Sequence, residues 1–408
     1  MNAQPYRFVC IGGGTGLPVI LRGLREYRQR CRPGWERIDL SVVTAIVSFS
    51  DDGGSSGRLV REYDTLPPGD LRNCLLALAD PEWLPLMTQF FDHRFSANES
   101  DTLAGHSAGN LLILALSRLH EGDLRKAILD LNRLLGIQGK IMFPTLETAV
   151  LCAELADGSV VVGESSIPLR GSAQPIRRVF LARRGDAAPR PERAPHLPAM
   201  PEAVLAIAEA DAIVLGPGSL FSSVISNLLV PEIADAVRSA PALKIYVANL
   251  MIEPGETDGL SLADHVEAIR RHGDVAVDCV IANRTPIDPR SARRYAVERL
   301  EREIAVIKRG LDDAGRRGGD IAAESLAPRV ARMHALLDGV SDPSADRGQV
   351  ISRNGSTPAG VELIEIDALK QEDFPEQHGV KRVLRHDPEK VLEAILGVLE
   401  RRDAAARA

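Results

Sequence analysis

The residues of this chain best suited to bind a phosphate form a glycine-rich turn near its start, which consists of Gly12, Gly13, Gly14, Thr15 and Gly16. An apolar run at residues 8–11 precedes the turn, and apolar residues at helical spacing follow it from Leu17. This order predicts a strand, a glycine loop and a helix. Glycine lets a phosphate approach the backbone closely, and a helix N-terminus presents free N–H groups and partial positive charge. We therefore expect this turn to bind a phosphate group.

A second turn of the same kind follows a later apolar run at residues 212–215, and it consists of Gly216, Pro217, Gly218 and Ser219. The residues after it are predicted to be helical and include Ser222, Ser223 and Asn227. Parallel strands end at the same edge of an open α/β sheet, and such sheets bind ligands at that edge. The two loops therefore predict one crevice with two phosphate-binding segments.

Polar side chains are expected at the same edge. Asp51 and Asp52 follow an apolar run at residues 40–49 that is rich in β-branched residues. Their carboxylates suit a ribose hydroxyl, a substrate or a Mg²⁺ ion that bridges phosphates. The alternative is a solvated acidic turn without a ligand. Asn73 and Asn110, each near the start of a predicted helix, are further candidates to contact the ligand.

Three motifs of known chemistry do not fit the sequence. The dinucleotide pattern G-x-G-x-x-G would need glycine at Leu17, which argues against an NAD(P) oxidoreductase, and no GK[ST] forms a triphosphatase phosphate loop. Residues 105–109 match the hydrolase pattern G-x-S-x-G, but the residues before them are polar and do not predict a strand. We therefore expect Ser107 to cap a helix, as we expect Asp70 to do for a helix that ends at Ala79.

The elements that must position these residues follow from the rest of the pattern. Apolar runs alternate with helical patterns, which predicts an α/β fold with a Rossmann-like, mainly parallel sheet and helices on both faces. Residues 149–162, with Asp157-Gly158 at the turn, predict a small β-hairpin. We divide the chain into an α/β ligand-binding domain at residues 1–285, a charged helical insertion at residues 286–355, and a C-terminal strand and helix at residues 356–408 that complete the fold.

Composition and charge narrow the class of protein. Of the 408 residues, 45% are hydrophobic and 26% are charged, which is typical of a water-soluble globular protein. The formal net charge of -7 provides no global attraction to nucleic acid or to an anionic membrane. No apolar run is long enough to span a bilayer and the first residues lack the apolar core of a signal peptide, so we expect a cytoplasmic protein. The five cysteines show no CxxC spacing, which predicts neither a zinc site nor a disulfide framework.

Five blocks of the sequence together resemble, in order, those of the gluconeogenesis factor (YvcK-type) proteins. The blocks are IGGGTGLPVILRGL, DDGGSSGRL, LPPGDLRNCLLALAD, GHSAGNLL and VLGPGSLFSSVISNLLV, and the resemblance covers residues 7–283. These proteins belong to the CofD-like superfamily, together with the 2-phospho-L-lactate transferases of deazaflavin coenzyme biosynthesis. The resemblance implies a Rossmann-like sheet with the ligand across its C-terminal edge.

The resemblance also implies a ligand and a role. In the gluconeogenesis factor branch the ligand is a UDP-sugar, typically UDP-N-acetylglucosamine, and the role is regulatory, in carbon metabolism and cell-wall synthesis. In the transferase branch a guanine-nucleotide-activated phospholactate gives up its phospholactyl group with the help of Mg²⁺. Position by position, the resemblance implies ligand contacts at Gly13, Gly14, Thr15, Gly16, Asp51, Asp52, Asn73, Asn110, Gly216, Pro217, Gly218 and Ser219.

We expect the regulatory branch, because the blocks DDGGSSGRL and LPPGDLRN resemble it more closely. The alternative is a 2-phospho-L-lactate transferase, in which Asp51 and Asp52 would be catalytic and Asp51 would bind the metal. The expected partners are a UDP-sugar or another nucleotide diphosphate and further copies of the chain, but not nucleic acid, and we expect no membrane insertion. Leu260 stands where the regulatory branch often has an aromatic residue, which weakens the expectation of stacking on a base or sugar there.

Overall fold

The computed structural model of the protein describes most of the chain up to residue 288 and two segments near the C-terminus. The described residues are 4–80, 82, 84–96, 100, 102–168, 170, 174–288, 290, 291, 294, 297, 360–376 and 379–407. Apart from its first positions, the helical insertion predicted at residues 286–355 lies outside these residues.

The described part of the chain contains twelve strands, which form a seven-stranded parallel sheet and two small antiparallel sheets. In chain order the strands are β1 (Phe8–Gly12), β2 (Thr44–Val47), β3 (Lys140–Met142), β4 (Val150–Leu155), β5 (Val160–Val162), β6 (Ile176–Ala182), β7 (Ala212–Leu215), β8 (Leu243–Val247), β9 (Cys279–Asn283), β10 (Glu362–Ile366), β11 (Leu369–Glu376) and β12 (Gly379–His386). The order in the large sheet is β10-β9-β8-β7-β1-β2-β3, and every neighbouring pair is parallel. This confirms the predicted fold class.

Successive strands are added on one side of β1 and on the other side of β7, so the order of the strands in the sheet reverses between these two parallel neighbours. From β1 the chain proceeds to β2 and β3 on one side, and from β7 it proceeds to β8, β9 and β10 on the other. Cys10 of β1 is paired with Val214 of β7 in parallel register. In open α/β sheets, a crevice forms outside the carboxyl ends of the two strands at such a switch point. The two predicted glycine loops follow these two strands.

Helices connect the strands and cover the sheet. In chain order the α-helices are α1 (Leu17–Gln29), α2 (Gly54–Tyr63), α3 (Pro68–Leu78), α4 (Leu84–Asp92), α5 (Ala108–Leu119), α6 (Leu124–Leu134), α7 (Pro201–Ala208), α8 (Ser226–Leu228), α9 (Pro231–Ser239), α10 (Leu262–Gly273) and α11 (Pro388–Arg407). Within the described part of the chain, no single helix is long and apolar enough to cross a bilayer. The two consecutive helical segments Leu220–Leu228 and Pro231–Ser239 are together long and apolar enough for a span, but this rests on length and composition only, and the pair is bent by 82°.

The core lies between the sheet and helices on both of its faces. Strands β1, β2, β7 and β9 are buried along their whole length, as expected for parallel strands covered on two sides. Helix α1 packs against α3 and α11, while α9 packs against α7 and α10. Parallel crossovers are right-handed, so the reversal between β1 and β7 places the helices that follow these strands on opposite faces.

The small antiparallel sheets contain the predicted hairpin and strands that the sequence did not indicate. Strands β4 and β5 form the hairpin expected at residues 149–162, and β6 pairs with the other edge of β4. Strands β11 and β12 form a second hairpin between β10 and α11. The pattern at residues 361–366 predicts a strand, and β10 covers Glu362–Ile366. Four other strands were not predicted, because their sequences contain neither a long apolar run nor a recognisable hairpin turn; these are β3, β6, β11 and β12.

The strand predicted at residues 40–49 is shorter than expected. Its first part is a 3₁₀ turn at Leu40–Val42, and β2 covers only Thr44–Val47. The side chain of Asp39 caps this turn by accepting a hydrogen bond from the backbone N–H of Ser41 at 3.0 Å. A local side-chain to backbone bond therefore overrides the β propensity of the apolar run.

Candidate functional site

The two glycine loops are in contact at the carboxyl ends of β1 and β7. A Cβ atom added to Gly16 would lie 2.2 Å from the carbonyl oxygen of Pro217, far inside van der Waals contact. Only glycine therefore allows the first loop to approach the second this closely. Gly14 has a φ of +60° and Gly216 a φ of +77°, both in the left-handed region that favours glycine. The structure thus brings the two predicted loops together.

Helix α3 holds the first loop through two side chains. Asp70 Oδ2 accepts a hydrogen bond from the backbone N–H of Gly14 at 2.7 Å, and Asn73 Nδ2 donates to the Gly14 carbonyl at 3.2 Å. Residues at this spacing share one face of a helix. The helix begins at Pro68 with Pro67 as its N-cap, so the expectation that Asp70 is the cap was wrong. Asp70 and Asn73 instead fix the conformation of Gly14.

Part of the first loop remains open to a ligand. Thr15 is exposed and Gly16 is half-buried, and no described residue accepts a hydrogen bond from their backbone N–H groups. Gly16 is the N-cap of α1 and makes no side-chain cap. The N–H groups at the start of a helix carry partial positive charge and suit an anion when they have no partner in the protein.

Two residues that follow β8 hold the second loop. Asn249 Oδ1 accepts a hydrogen bond from the backbone N–H of Gly218 at 3.1 Å, and Glu253 Oε1 accepts one from the Ser219 hydroxyl at 2.8 Å. Sequence reasoning missed both residues. A signal was present for Asn249, because it ends the segment at residues 244–249, whose apolar residues predict a strand, and the end of a strand lies at the ligand-binding edge.

Buried polar residues connect the helix after the second loop to β1 and to the segment after β2. Ser48 Oγ and Ser50 Oγ donate to the carbonyl of Ser222 at 3.0 Å and 3.2 Å. Asn227 Nδ2 donates to the carbonyl of Gly12 at 3.4 Å. These bonds cross the switch point, so the two loops and the segment after β2 form one hydrogen-bonded unit.

Asp51 and Asp52 leave β2 at the same edge and lie beside a third acidic residue, Glu164. Asp51 Oδ1 accepts a hydrogen bond from the backbone N–H of Gly53 at 3.0 Å, and Asp52 Oδ1 accepts one from Ser165 at 2.8 Å. Glu164 and Ser165 belong to a short 3₁₀ turn that follows β5. The sequence did not indicate Glu164, because the predicted hairpin carried no glycine loop and gave no sign that it covers the crevice.

Burial and mutual repulsion raise the pKa values of the carboxyl groups here. Burial raises the pKa of Asp51, and the nearby Asp52 raises it further. Burial raises the pKa of Glu164 well above its usual value, with added contributions from Asp51 and Asp52. The pKa of Asp70 rises to about 7 because of burial and the neighbouring Asp51, while the Arg72 guanidinium opposes the rise. Further negative charge beside these groups is therefore unfavourable.

A buried network beneath α3 positions Asn110. Arg72 Nη1 donates to Ser107 Oγ at 2.8 Å, and Arg72 Nη2 donates to Asn73 Oδ1 at 2.9 Å. Ser107 caps α5 as predicted, since its Oγ accepts from the backbone N–H of Asn110 at 3.2 Å. Ser107 is fully buried and no strand precedes it among the neighbouring residues that the structure describes, unlike the exposed serine of a hydrolase elbow. Asn110 Nδ2 donates to Ser55 Oγ at 3.1 Å, and Asn110 Oδ1 is buried without a described partner.

The described residues provide no complete metal site. Among them, no group of three or more His, Cys, Asp or Glu side chains is arranged to hold a metal ion. Mg²⁺ at nucleotide sites commonly takes one or two protein carboxylates and completes its shell with phosphates and water. The chemistry of the Asp51 carboxylate fits such a shared site, in which a bound nucleotide would supply the other ligands.

Comparison with known proteins gives the family. A family model described as "2-phospho-L-lactate transferase CofD" matches residues 8–315. The chain is 42% identical over 296 residues to the gluconeogenesis factor of Bacillus subtilis, which covers 72% of this chain and 84% of that protein. It is 44% identical over 296 residues to a putative gluconeogenesis factor of Nostoc, which covers 71% of this chain and 58% of that longer protein.

A solved structure agrees with this assignment. A crystal structure of a member of the UPF0052 family from Bacillus halodurans superimposes with a TM-score of 0.71 at 34% sequence identity. The superposition covers 97% of this chain and 99% of that one. The family model, the relatives and the shared fold together show that this chain belongs to the CofD family and, within it, to the gluconeogenesis factors.

Proposed function

We propose that the chain is a regulatory protein of the gluconeogenesis factor type that binds a nucleotide sugar, specifically a UDP-sugar, at the crevice between β1 and β7. The observation that carries the proposal is the contact between two glycine loops at the switch point of the sheet. Open α/β sheets bind nucleotides at this position, with the phosphates on glycine loops and helix N-termini.

The two loops hold the diphosphate in this proposal. One phosphate lies on Gly13, Gly14, Thr15 and Gly16, and the other on Gly216, Pro217, Gly218 and Ser219. The N–H groups of Thr15 and Gly16, which no described residue accepts, support the first part of this assignment. Asp51 and Asp52 accept hydrogen bonds from sugar or ribose hydroxyls. Asn110 offers its buried Oδ1, whereas Asn73 acts through Gly14.

Binding alone accounts for the geometry of the crevice. A binding protein needs shape and hydrogen bonds, whereas a transferase must also place an acceptor in line with a stabilised leaving group. The name gluconeogenesis factor, which is given as putative for the Nostoc relative, supports a role in central carbon metabolism. A regulatory mode of action and a role in cell-wall synthesis are further parts of the proposal. A cytoplasmic location and self-association are part of the same proposal.

The alternative function is transfer of a phospholactyl group to a deazaflavin, and the description of the matching family model favours it. In that case Asp51 and Asp52 would serve the reaction, with Mg²⁺ held by Asp51 and the phosphates of a guanine nucleotide. Mg²⁺ would neutralise negative charge that develops on the leaving phosphate. The alternative predicts turnover with an activated phospholactate and a deazaflavin acceptor.

Titration calorimetry tests the proposal. The ligands are UDP-N-acetylglucosamine, UDP-glucose, GDP and NAD, each with and without Mg²⁺. We compare Gly218→Asp with Gly218→Asn, because both side chains strain the same backbone position, where φ is +153°, and only aspartate adds a negative charge. We expect micromolar binding of the UDP-sugars and a larger loss in Gly218→Asp than in Gly218→Asn.

Other outcomes select between the functions. Preference for GDP with Mg²⁺, together with phospholactyl transfer, would replace the regulatory proposal with the transferase. Preference for NAD would contradict both. Equal losses of affinity in the two Gly218 variants would show that the second loop does not contact a phosphate, but they would not contradict UDP-sugar binding itself.

A further inference from the structure

We infer that Tyr246 and His265 are positioning residues, whose buried hydrogen bond fixes the strand end that holds the second glycine loop. Neither side chain touches the ligand in this arrangement, and both act through Asn249. The inference rests on the proposed nucleotide-sugar binding and deepens it, because it names the residues that keep a phosphate-binding loop in shape.

The pair joins strand β8 to helix α10. Both side chains are 0% exposed, and the phenol oxygen of Tyr246 lies 2.9 Å from His265 Nδ1. Tyr246 is near the carboxyl end of β8, and His265 is in the first turn of α10. A capping box between Ser261 and Asp264 fixes the start of this helix. The hydrogen bond therefore ties the end of β8 to a rigid support.

The end of β8 in turn supports the second glycine loop. Tyr246 is paired with the last residue of β7, directly before the loop. A Cβ atom added to Gly216 would lie 3.0 Å from the carbonyl oxygen of Val247. The backbone N–H of Gly218 donates to Asn249 Oδ1 at 3.1 Å. A displacement of this strand end would therefore change the shape of the loop.

The phenol of Tyr246 also contacts the segment that carries Asn249. Burial raises the pKa of Tyr246 and the nearby Glu253 raises it further, whereas a hydrogen bond from the backbone N–H of Asn249 opposes the rise. Glu253 also favours the charged form of His265, and its Oε1 accepts a hydrogen bond from the Ser219 hydroxyl at 2.8 Å. The pair thus lies close to both residues that hold the second loop.

The direction of the bond between the two side chains follows from a count of unsatisfied groups. Burial lowers the pKa of His265 to about 4, so at neutral pH its ring has one donor and one acceptor nitrogen. Its Nε2 is buried and has no partner among the described residues. Donation from the Tyr246 hydroxyl to Nδ1 leaves only the Nε2–H unsatisfied. The reverse direction would leave both Nε2 and the phenol proton unsatisfied, so Nδ1 is the acceptor.

Packing alone does not account for a phenol and an imidazole at these positions. Apolar side chains of similar size would fill the space without leaving a nitrogen buried and unpartnered, which is unfavourable. A hydrogen bond is directional, so it fixes the distance and orientation of β8 and α10 more narrowly than apolar contact does. We therefore assign the pair to the precision of the loop rather than to the core.

Tyr246→Phe removes only the hydroxyl, and Tyr27→Phe is its matched control. Tyr27 is 2% exposed in the last turn of α1, and its hydroxyl donates to the Pro33 carbonyl at 2.8 Å. Calorimetry on the full chain uses UDP-N-acetylglucosamine and UDP, which share the diphosphate. We expect Tyr246→Phe to weaken both ligands at least about fivefold, and Tyr27→Phe to stay within about twofold of the wild type.

The other outcomes of this comparison are decisive. Unchanged affinities in Tyr246→Phe would overturn the inference and leave UDP-sugar binding intact. A loss confined to UDP-N-acetylglucosamine would place the effect at the sugar, and an equal loss in Tyr27→Phe would make it a general effect of stability; either would also overturn the inference. Failure of the wild type to bind either ligand would overturn the proposed function and the inference together.

Two variants of His265 test the same bond from its other side. His265→Asn keeps an acceptor near the position of Nδ1, whereas His265→Leu removes it. We expect the asparagine variant to bind UDP at least about threefold more tightly than the leucine variant. Equal affinities of these variants, each shown to be folded by circular dichroism, would overturn the inference.

Nitrogen-15 NMR of histidine-labelled protein at pH 7 reads the bond directly. We expect a bare Nδ1 and a protonated Nε2 for His265, with ring signals that change in Tyr246→Phe and not in Tyr27→Phe. His265→Asn assigns the signals, because it removes them. A protonated Nδ1, or His265 signals that ignore the loss of the Tyr246 hydroxyl, would overturn the inference.

Discussion

Asp70 and Gly14 are separated by 56 positions in the chain, yet the Asp70 carboxylate oxygen Oδ2 lies 2.7 Å from the backbone nitrogen of Gly14. This bond and the one from Asn73 hold both polar groups of a single glycine whose φ is positive. The first glycine loop therefore does not keep its shape by itself. A neighbouring crossover helix sets it, and the backbone N–H groups of Thr15 and Gly16 have no acceptor among the described residues.

Two substitutions of Asp70 distinguish the effect of its hydrogen bond to Gly14 from the effect of its charge. Asp70→Asn keeps an oxygen that can accept from Gly14, while Asp70→Ala leaves that N–H group without a partner. We expect the alanine variant to be less stable than the asparagine variant by about 1–3 kcal/mol and to bind the ligand more weakly. Urea unfolding and calorimetry provide the measurements. Equal stability of the two neutral variants would show that the bond contributes nothing.

The charge of Asp70 has a separate effect on stability as a function of pH. Its pKa rises from 3.8 to about 7 on folding, so the folded state holds more protons than the unfolded state between these values. The free energy of unfolding therefore falls as pH increases through this range. We expect Asp70→Asn to be more stable than the wild type by about 1–3 kcal/mol at pH 8 and no more stable near pH 4.

The control for this prediction is the same set of urea unfolding measurements on a variant of an exposed acidic residue, Asp235. Asp235 lies on α9 with an exposed side chain and pairs with Arg238. Asp235→Asn should leave the dependence of unfolding free energy on pH close to that of the wild type. If Asp70→Asn also kept the wild-type dependence, the raised pKa of Asp70 would have to be rejected.

Alanine at position 16 should separate the two glycine loops. The new Cβ would lie 2.2 Å from the carbonyl oxygen of Pro217 and 2.9 Å from the nitrogen of Gly218, both of them backbone atoms that cannot rotate away. We expect ligand binding to weaken by at least about tenfold and the unfolding free energy to fall by about 1–3 kcal/mol. Calorimetry and urea unfolding give both quantities.

Gly397 is the matched control for this substitution. It lies within α11, and an added Cβ would come no closer than 3.7 Å, to the flexible side chain of Arg401. Gly397→Ala should therefore raise stability by about 0.5–1 kcal/mol and leave ligand binding unchanged. Wild-type binding by Gly16→Ala would refute the idea that close contact of the loops forms the site.

Ser107 should matter for stability and not for hydrolysis. Its Oγ caps α5 and also accepts from Arg72, so Ser107→Ala should lower the unfolding free energy by about 1–2 kcal/mol. Ser261→Ala is the control, since half-buried Ser261 caps α10 without accepting a bond from an arginine, and its loss should cost about 1 kcal/mol. Esterase activity that disappears in Ser107→Ala at unchanged stability would contradict this interpretation.

The local elements of the site were predictable from sequence because they depend on neighbouring residues. A short buried run followed by glycines and helical spacing specifies a strand, a turn and a helix with little help from the rest of the chain. Accordingly, residues 212–215 predict a strand, and β7 covers Ala212–Leu215. Ser107 could likewise be identified as a cap, because capping is a bond between residues three positions apart.

The sequence by itself therefore determined the family, the fold class and the two glycine loops. The tertiary structure alone decided that Gly16 contacts Pro217, that Asp70 fixes Gly14 rather than capping its helix, and that Ser165 donates to Asp52. Backbone preferences and capping act over a few residues and leave a periodic pattern in the chain. The distance between remote segments depends instead on how helices and strands pack, and no spacing in the sequence records that distance.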